Sequence, residues 1–340
     1  MSKSHYIIPI FVPHEGCPHN CVFCNQDRIT GVKDKVDGEK VENIINEYYE
    51  TIENKDATIE VSFFGGTFTA IREEKQRELL KVAKKYKDLG IVEKIRMSTR
   101  PDYINDYILT YLKEYDVDII ELGIQSLDDE VLVAAGRGHT AEDVKNASKL
   151  IKKYGITLGH QLMPGLPKST EEKDIKSAID SLSMEPELLR IYPSLVIKDT
   201  PMEIMYNRGE YTPYTLEKAV DVSKKIFTMF NNKGVNVIRI GLQPTETINT
   251  GKDIIAGPFH PAFRELVQGS LIADSIRENA NSKSFELLIN NKDLSKLYAN
   301  KKIYFNKLKS EGYDIKVIVT DEVSRGKLIL KEDKEKEILI

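Results

Sequence analysis

A chain of 340 residues, 41% hydrophobic and 30% charged, has room for one large domain with a small appendage around a sizeable core. Its formal net charge of −4 gives no global pull toward nucleic acid or anionic membrane, and its three cysteines are too few and odd in number for a disulfide framework. No apolar run approaches the ~18 residues of a membrane span, and the stretch 6–12 carries Pro9, a poor core for a secretory leader. A cytoplasmic location, with no membrane partner and thiols kept reduced, is the expectation.

Short β-rich runs alternate with charged stretches of helical periodicity. Strands are expected at 6–12, 57–65, 93–99, 117–124, 156–162 and 188–193, and helices at 38–54, 72–89, 102–115, 141–154 and 171–182. This alternation predicts βαβ units around a parallel sheet. The fold class is therefore α/β: a partial (β/α)6 TIM-like barrel with a small C-terminal α/β appendage, two units short of a closed barrel. Residues 1–240 form the expected core with a post-barrel strand and helix, 241–280 a Gly/Pro-containing extension near the active site, and 281–340 a β-α-β-β unit. In that unit, strands at 285–290, 314–320 and 327–331 surround a helix at 292–309.

Period-2 alternation sorts the strand side chains. Glu121 shares a face with Ile119, Gly123 and Gln125, and Gln161 shares one with Thr157, Gly159 and Met163. Polar groups lining the inner face near the C-terminal strand ends are where barrel enzymes place their chemistry.

Every cysteine lies in Cys17-Pro-His-Asn-Cys21-Val-Phe-Cys24, the loop that follows the first strand. Three thiolates can hold three irons of a cubane cluster and leave the fourth iron open to a ligand. A Cys3His zinc site completed by His14 or His19 is the alternative, and it would make the chain a structural or adaptor protein. A structural zinc usually joins two short knuckles, and no second knuckle follows.

Further motifs fall at the ends of the expected strands. The second ends in Gly65-Gly66-Thr67, where two glycines let a ligand approach the backbone. Ser98-Thr-Arg-Pro101 closes the third. After Glu121-Leu-Gly-Ile-Gln125 comes Gly136-Arg137-Gly138-His139-Thr140, and then His160-Gln-Leu-Met163-Pro-Gly-Leu-Pro167. The cysteine spacing, with Phe23 just before the last thiol, resembles the signature of radical S-adenosylmethionine (SAM) enzymes. The whole set resembles the radical SAM core of the Elongator catalytic subunit and, more distantly, oxygen-independent coproporphyrinogen oxidases. Arg190-Ile-Tyr192-Pro and the tyrosines Tyr206, Tyr211 and Tyr214 extend the likeness, which covers roughly residues 6–245.

The resemblance implies a [4Fe–4S] cluster on Cys17, Cys21 and Cys24, whose open iron chelates SAM. It assigns SAM contacts to Phe23, Gly65, Gly66, Thr67, Ser98, Gln125, Arg137, Gln161 and Met163. Gln125 is expected at the ribose and Arg137 at the carboxylate, which a guanidinium fork can bind bidentately. Ser98 stands where the branch commonly has Glu. Cleavage of SAM would yield a 5′-deoxyadenosyl radical that abstracts a substrate hydrogen, with flavodoxin or ferredoxin as the kind of electron donor required. Substrate-side candidates are Arg190 and Tyr192 at the sixth strand end, with His260 beside Arg264 in the extension.

The substrate class stays open between RNA or a nucleotide and a small metabolite or tetrapyrrole. The stretch 281–309 carries seven Lys against Glu286 and Asp293 and vaguely resembles an RNA-binding KH unit, but Ala299-Asn300-Lys301-Lys302 replaces the Gly-x-x-Gly clamp.

Overall fold

Short polar side chains fix where the helices begin. Asp37, Asn105, Asp128, Thr140, Thr170, Thr200 and Thr215 each accept a hydrogen bond from the backbone N–H three residues on, satisfying a donor that the first helical turn leaves orphaned. The structure, a computed structural model, describes residues 5–12, 17, 21–25, 36–244, 248–249, 251–332 and 334–339. His14 and His19, the histidines of the zinc alternative, lie outside the described residues.

The barrel portion runs β1 (His5–Val12), α1 (Gly38–Thr51), β2 (Thr58–Gly65), α2 (Glu73–Asp88), β3 (Lys94–Thr99), α3 (Asp106–Glu114), β4 (Ile119–Gln125), α4 (Asp129–Ala134), α5 (Ala141–Lys153), β5 (Thr157–Leu162), α6 (Glu171–Ser183) and β6 (Leu188–Ile191). It continues through β7 (Val196–Ile197), α7 (Pro201–Asn207), α8 (Leu216–Asn231), β8 (Asn236–Ile240), β9 (Ile254–Ala256) and α9 (Phe263–Asn279). The C-terminal unit comprises β10 (Ser284–Ile289), α10 (Leu294–Leu297), α11 (Ala299–Ser310), β11 (Asp314–Val319), β12 (Lys327–Lys331) and β13 (Glu335–Leu339).

Seven strands form one parallel sheet in the order β1-β2-β3-β4-β5-β6-β8. Strands that neighbour in sequence neighbour in space, so each helix crosses over one face and the sheet curves into a half-barrel. Ile8, Ile10, Val61, Phe63, Ile95, Met97, Ile120 and Leu122 are buried in the core on the helix side. The alternate residues face inward and include the charged side chains Glu60, Arg96, Glu121 and Arg190. The sheet has one strand more than the six expected: β8, read as a post-barrel strand, pairs in parallel with β6. Sequence pattern marks a strand but not its partner across intervening segments.

The small sheet has the order β11-β10-β12-β13, with β10 and β11 parallel and the other pairs antiparallel. Its core includes Ile272, Ala273 and Ile276 of α9, while Phe263, Leu266 and Val267 of the same helix belong to the main core. Helix α9 is thus apolar on two sides, as a helix shared by two cores must be. The single helix expected at 292–309 is interrupted: Asn300, Lys301 and Lys302 adopt left-handed φ values of 45°, 55° and 66°. Asn tolerates that region better than most residues. No helix among the described residues is long and apolar enough to cross a membrane.

Candidate active site

The cysteine loop leaves β1 at the C-terminal rim of the sheet. Cys21 and Phe23 are buried in an apolar cluster with Val131, Leu166 and Tyr211, and Met163 packs against it. Backbone bonds tie the loop down on two sides: Val22 N–H donates to the Ala135 carbonyl at 3.0 Å, and Met202 N–H donates to the Val22 carbonyl at 2.9 Å. Cys17 is exposed, its Sγ 3.5 Å from the Thr67 hydroxyl. At the adjacent strand end Gly65 has φ +112°, and a Cβ there would lie 2.7 Å from the Val12 carbonyl oxygen, so only glycine permits this approach. The Gly66 N–H is taken by the same carbonyl at 3.0 Å. This donor is therefore already occupied within the turn.

Arg137 links the loop to the sheet. Its Nη1 donates to Cys21 Sγ at 3.2 Å and its Nη2 to the Gly123 carbonyl at 2.6 Å, while buried Nε has no partner among the described residues. Gln125 ends β4 with φ +64°, and its side-chain oxygen accepts from Gln161 Nε2 at 3.2 Å. The Met163 N–H donates to the Gln125 carbonyl at 2.8 Å, joining the two strand ends. Loop, Arg137, Gln125, Gln161 and Met163 thus meet on one rim. His139, behind Arg137, places Nε2 3.2 Å from the Ile124 carbonyl. Burial, followed by the Arg137 and Arg100 charges, lowers its pKa to about 3, so it is neutral.

The floor below this rim is a row of charges on the inner face. Arg96 donates Nη2 to Glu60 and Nη1 to Glu121, each at 3.0 Å, and Arg190 donates Nε to Glu121 at 2.9 and 3.0 Å. Ser98 Oγ lies 3.5 Å from Glu121, and Gly159 leaves the space on β5 that Glu121 fills: a Cβ there would lie 2.9 Å from its Cγ. Arg190 also donates to the Tyr192 hydroxyl at 3.1 Å and lies 5.3 Å from the Phe64 ring. Burial alone would lower the Arg190 pKa, but Glu121 and Tyr192 raise it overall, so the guanidinium stays charged. Glu60 and Arg96 escaped the sequence reading, although Glu60-Val-Ser62 and Arg96-Met-Ser98 carry the same alternation that exposed Glu121.

Other candidates land elsewhere. His260 accepts through Nδ1 from the Ala262 N–H at 3.1 Å, and its carbonyl accepts from the Phe263 N–H, a local role at the start of α9. The structure does not join it to Arg190 or Tyr192. Arg264 donates to the Val237 carbonyl at 2.9 Å. Tyr211 donates to the Gly165 carbonyl at 2.6 Å and Tyr214 to Asp174 at 2.9 Å, so both hydroxyls brace the loop after Met163. Asp174 also accepts from the Gly165 N–H and from Ser169. Tyr206 is exposed.

Among the described residues, no three His, Cys, Asp or Glu side chains gather into a metal-holding group. The fit to a cluster therefore rests on donor chemistry: three thiols at a strand-end loop, a guanidinium N–H donated to one of them, a glycine turn beside another, and a buried Nε that meets no acceptor among the described residues. These features suit a thiolate-held cluster with an anionic co-ligand.

A family model described as the radical SAM superfamily matches residues 11–181, half the chain, and a Radical_SAM C-terminal domain model matches residues 186–273. The chain belongs to the radical SAM superfamily of enzymes, whose members generally use a [4Fe–4S] cluster and SAM. It is 33% identical over 184 residues to the tRNA uridine(34) acetyltransferase of Methanocaldococcus infernus, covering 48% of this chain and 34% of that protein. It is 28% identical over 191 residues to Elongator complex protein 3 of Danio rerio, covering 50% and 35% respectively. The chain thus spans about a third of the length of these curated relatives. The solved archaeal Elp3 of Methanocaldococcus infernus superimposes with a TM-score of 0.64 at 23% identity, covering 81% of this chain and 64% of that one. At that identity the likeness concerns the fold, and it matches the half-barrel expected from the sequence.

Proposed function

We propose that this chain binds a [4Fe–4S] cluster through Cys17, Cys21 and Cys24, binds SAM on the adjoining rim, and acts on an RNA or nucleotide substrate. The observation that carries this reading is Arg137, which touches a cysteine sulfur and a strand-end carbonyl while keeping a buried N–H in hand. When bound, the cluster and SAM together supply one-electron cleavage and hydrogen abstraction. The chain's own residues do the positioning. Arg137 sets its positive charge against Cys21 and toward a carboxylate. Gln125 and Gln161 present amide groups to hydroxyls, Gly65 and Gly66 let an amino group come close to the backbone, and the apolar cluster around Phe23 excludes water. Arg190 and Tyr192, joined to each other at the end of β6, are the substrate-side candidates in this reading. The RNA or nucleotide class is supported by relatives whose names describe tRNA uridine acetyltransferases, and by the lysine-rich stretch 281–309.

The test is anaerobic reconstitution, reduction, and assay for 5′-deoxyadenosine. Iron and sulfide near four each per chain, with SAM cleavage, are expected; a zinc-only protein, or a full cluster with no cleavage, would sink the reading. Cys24→Ala should abolish the cluster absorbance. Arg137→Ala should keep the absorbance and weaken SAM binding, and undiminished SAM affinity would refute its assignment.

A further inference from the structure

The charged row on the inner face ends unevenly. Across the sheet Glu60, Arg96, Glu121 and Arg190 alternate in sign, and both guanidiniums meet carboxylates. The register partner of Arg190 on the last strand, β8, is Arg239. That guanidinium donates Nη2 to an amide oxygen, Gln243 Oε1, at 2.8 Å. Arg264, from the first turn of α9, reaches the same strand and donates Nη1 to the Val237 carbonyl at 2.9 Å. Among the described residues neither arginine pairs with a carboxylate. Burial, then the neighbouring charge of Arg239, lowers the pKa of Arg264. Two like charges so placed repel each other, and an anion between them would relieve both.

The fold brings these cations together by close backbone approaches. Gly241, just past β8, has φ +80°, and a Cβ there would lie 2.6 Å from Phe263 Cβ, so the start of α9 rests directly on the strand end. On the far side a Cβ at Gly269 would lie 2.7 Å from the Lys296 carbonyl, which brings the segment carrying Lys292 and Lys296 against α9. The result is a cavity of about 550 Å³ lined by Arg239, Gln243, Arg264, Glu265, Lys292 and Lys296 among others. Lys296 is neutralised by Asp293 at 2.7 Å, and among the described lining residues Glu265 is the one carboxylate. Arg239, Arg264 and Lys292, less Glu265, leave a net charge of 3 − 1 = +2.

We propose that this groove, at the open edge of the half-barrel, binds a phosphoryl or phosphodiester group. Guanidinium forks match phosphate oxygens, and a net double positive charge among the described lining residues matches a phosphate dianion or successive diesters. The groove lies at the C-terminal end of β8, on the rim that carries the cysteine loop, so a phosphate held there belongs to a molecule presented to that rim. The inference deepens the nucleotide reading above, but phosphate binding needs no SAM cleavage, so the two fail separately.

The test is fluorescence anisotropy of the reconstituted full chain with labelled single-stranded oligoribonucleotides of increasing length, competed by inorganic phosphate and by pyrophosphate. Arg239→Gln should weaken binding about tenfold and lower the salt slope by about one. Lys292→Gln should do the same to a smaller degree, and Arg239→Lys, which keeps the charge but loses the fork, should fall between wild type and Arg239→Gln. Affinity that rises with oligonucleotide length assigns a polynucleotide backbone, whereas full competition by pyrophosphate without a length effect assigns a small phosphorylated molecule; either result upholds the site. Absence of binding to every probe would overturn it. So would wild-type affinity in Arg239→Gln and Lys292→Gln alongside loss in Lys301→Gln/Lys302→Gln.

Discussion

Arg96 and Arg190 in the middle of the sheet, and Arg239 and Arg264 at its open edge, share a chemistry and differ in their partners. The central pair is bracketed by Glu60 and Glu121, with Glu60 and Arg96 essentially without solvent contact. The edge pair has a side-chain amide and a backbone carbonyl. A buried guanidinium compensated by carboxylates is part of the scaffold and fixes the shape of the cavity floor. One that repels its neighbour and lacks an anion is placed for a ligand. The contrast also reweighs Arg190: its contacts with Glu121, Tyr192 and Phe64 hold it within the floor of the half-barrel.

The largest effect should come from breaking the central row. Glu121→Ala strips the acid from Arg190 and one of two acids from Arg96, leaving buried positive charge uncompensated. A loss of about 3–5 kcal/mol in unfolding free energy is expected, read from denaturant unfolding at neutral pH. A loss below about 1 kcal/mol would mean that both arginines relax into solvent, and the central row would then be no scaffold.

How much of this was legible in the sequence follows the range of the interactions. The cysteine spacing, Gly65-Gly66, Gln125 and Arg137 are local signals at strand ends, and the structure gathers Cys21, Arg137, Gln125, Gln161 and Met163 on one rim. Glu121 was found by period-2 alternation, and the same rule applied to β2 and β3 would have found Glu60 and Arg96. The bracing of the Met163 loop was not legible, because Asp174 meets Tyr214 across 40 residues of chain. Nor was the edge groove: Arg239 and Arg264 sit in different elements, joined by the packing of Phe263 on Gly241 and by the Arg264 bond to the Val237 carbonyl. His260 stood out for its chemistry, but its position before α9 gave it a backbone partner.

On β5, behind the charged row and against the covering helices, stands His160, a titratable group buried with neutral partners. Its Nε2 lies 2.9 Å from Ser148 Oγ and its Nδ1 lies 2.8 Å from Ser181 Oγ. Burial lowers its pKa to about 3, against 6.5 for an ordinary histidine. The unfolded chain takes up a proton below pH 6.5 and the folded chain does not until about 3, so the contribution is full above 6.5 and is lost as the pH falls through that window. Acidification to about pH 5 should remove about 2 kcal/mol. Asp174 acts in the opposite sense, since burial raises its pKa from 3.8 to about 6. It stays protonated in the folded state where the unfolded chain has lost the proton, so it returns about 1 kcal/mol at that pH. Comparing denaturation of wild type and His160→Gln between pH 7 and 5 isolates the histidine; identical pH slopes would show that the hydroxyls hold it charged.

The smallest expected effect is the most discriminating. Arg239→Gln at the sheet edge should change unfolding free energy by no more than about 0.5 kcal/mol, because glutamine can keep an amide partner and the repulsion on Arg264 disappears. Set beside Glu121→Ala in the same denaturation assay, the two changes should differ several-fold although both alter one charge on the same inner face. A loss above about 2 kcal/mol for Arg239→Gln would show that the edge arginine is held as firmly as the central ones. In that case its missing carboxylate would be compensated by the backbone dipoles around Val237 and Gln243, and the contrast between a satisfied floor and an unsatisfied edge would no longer distinguish scaffold from ligand site.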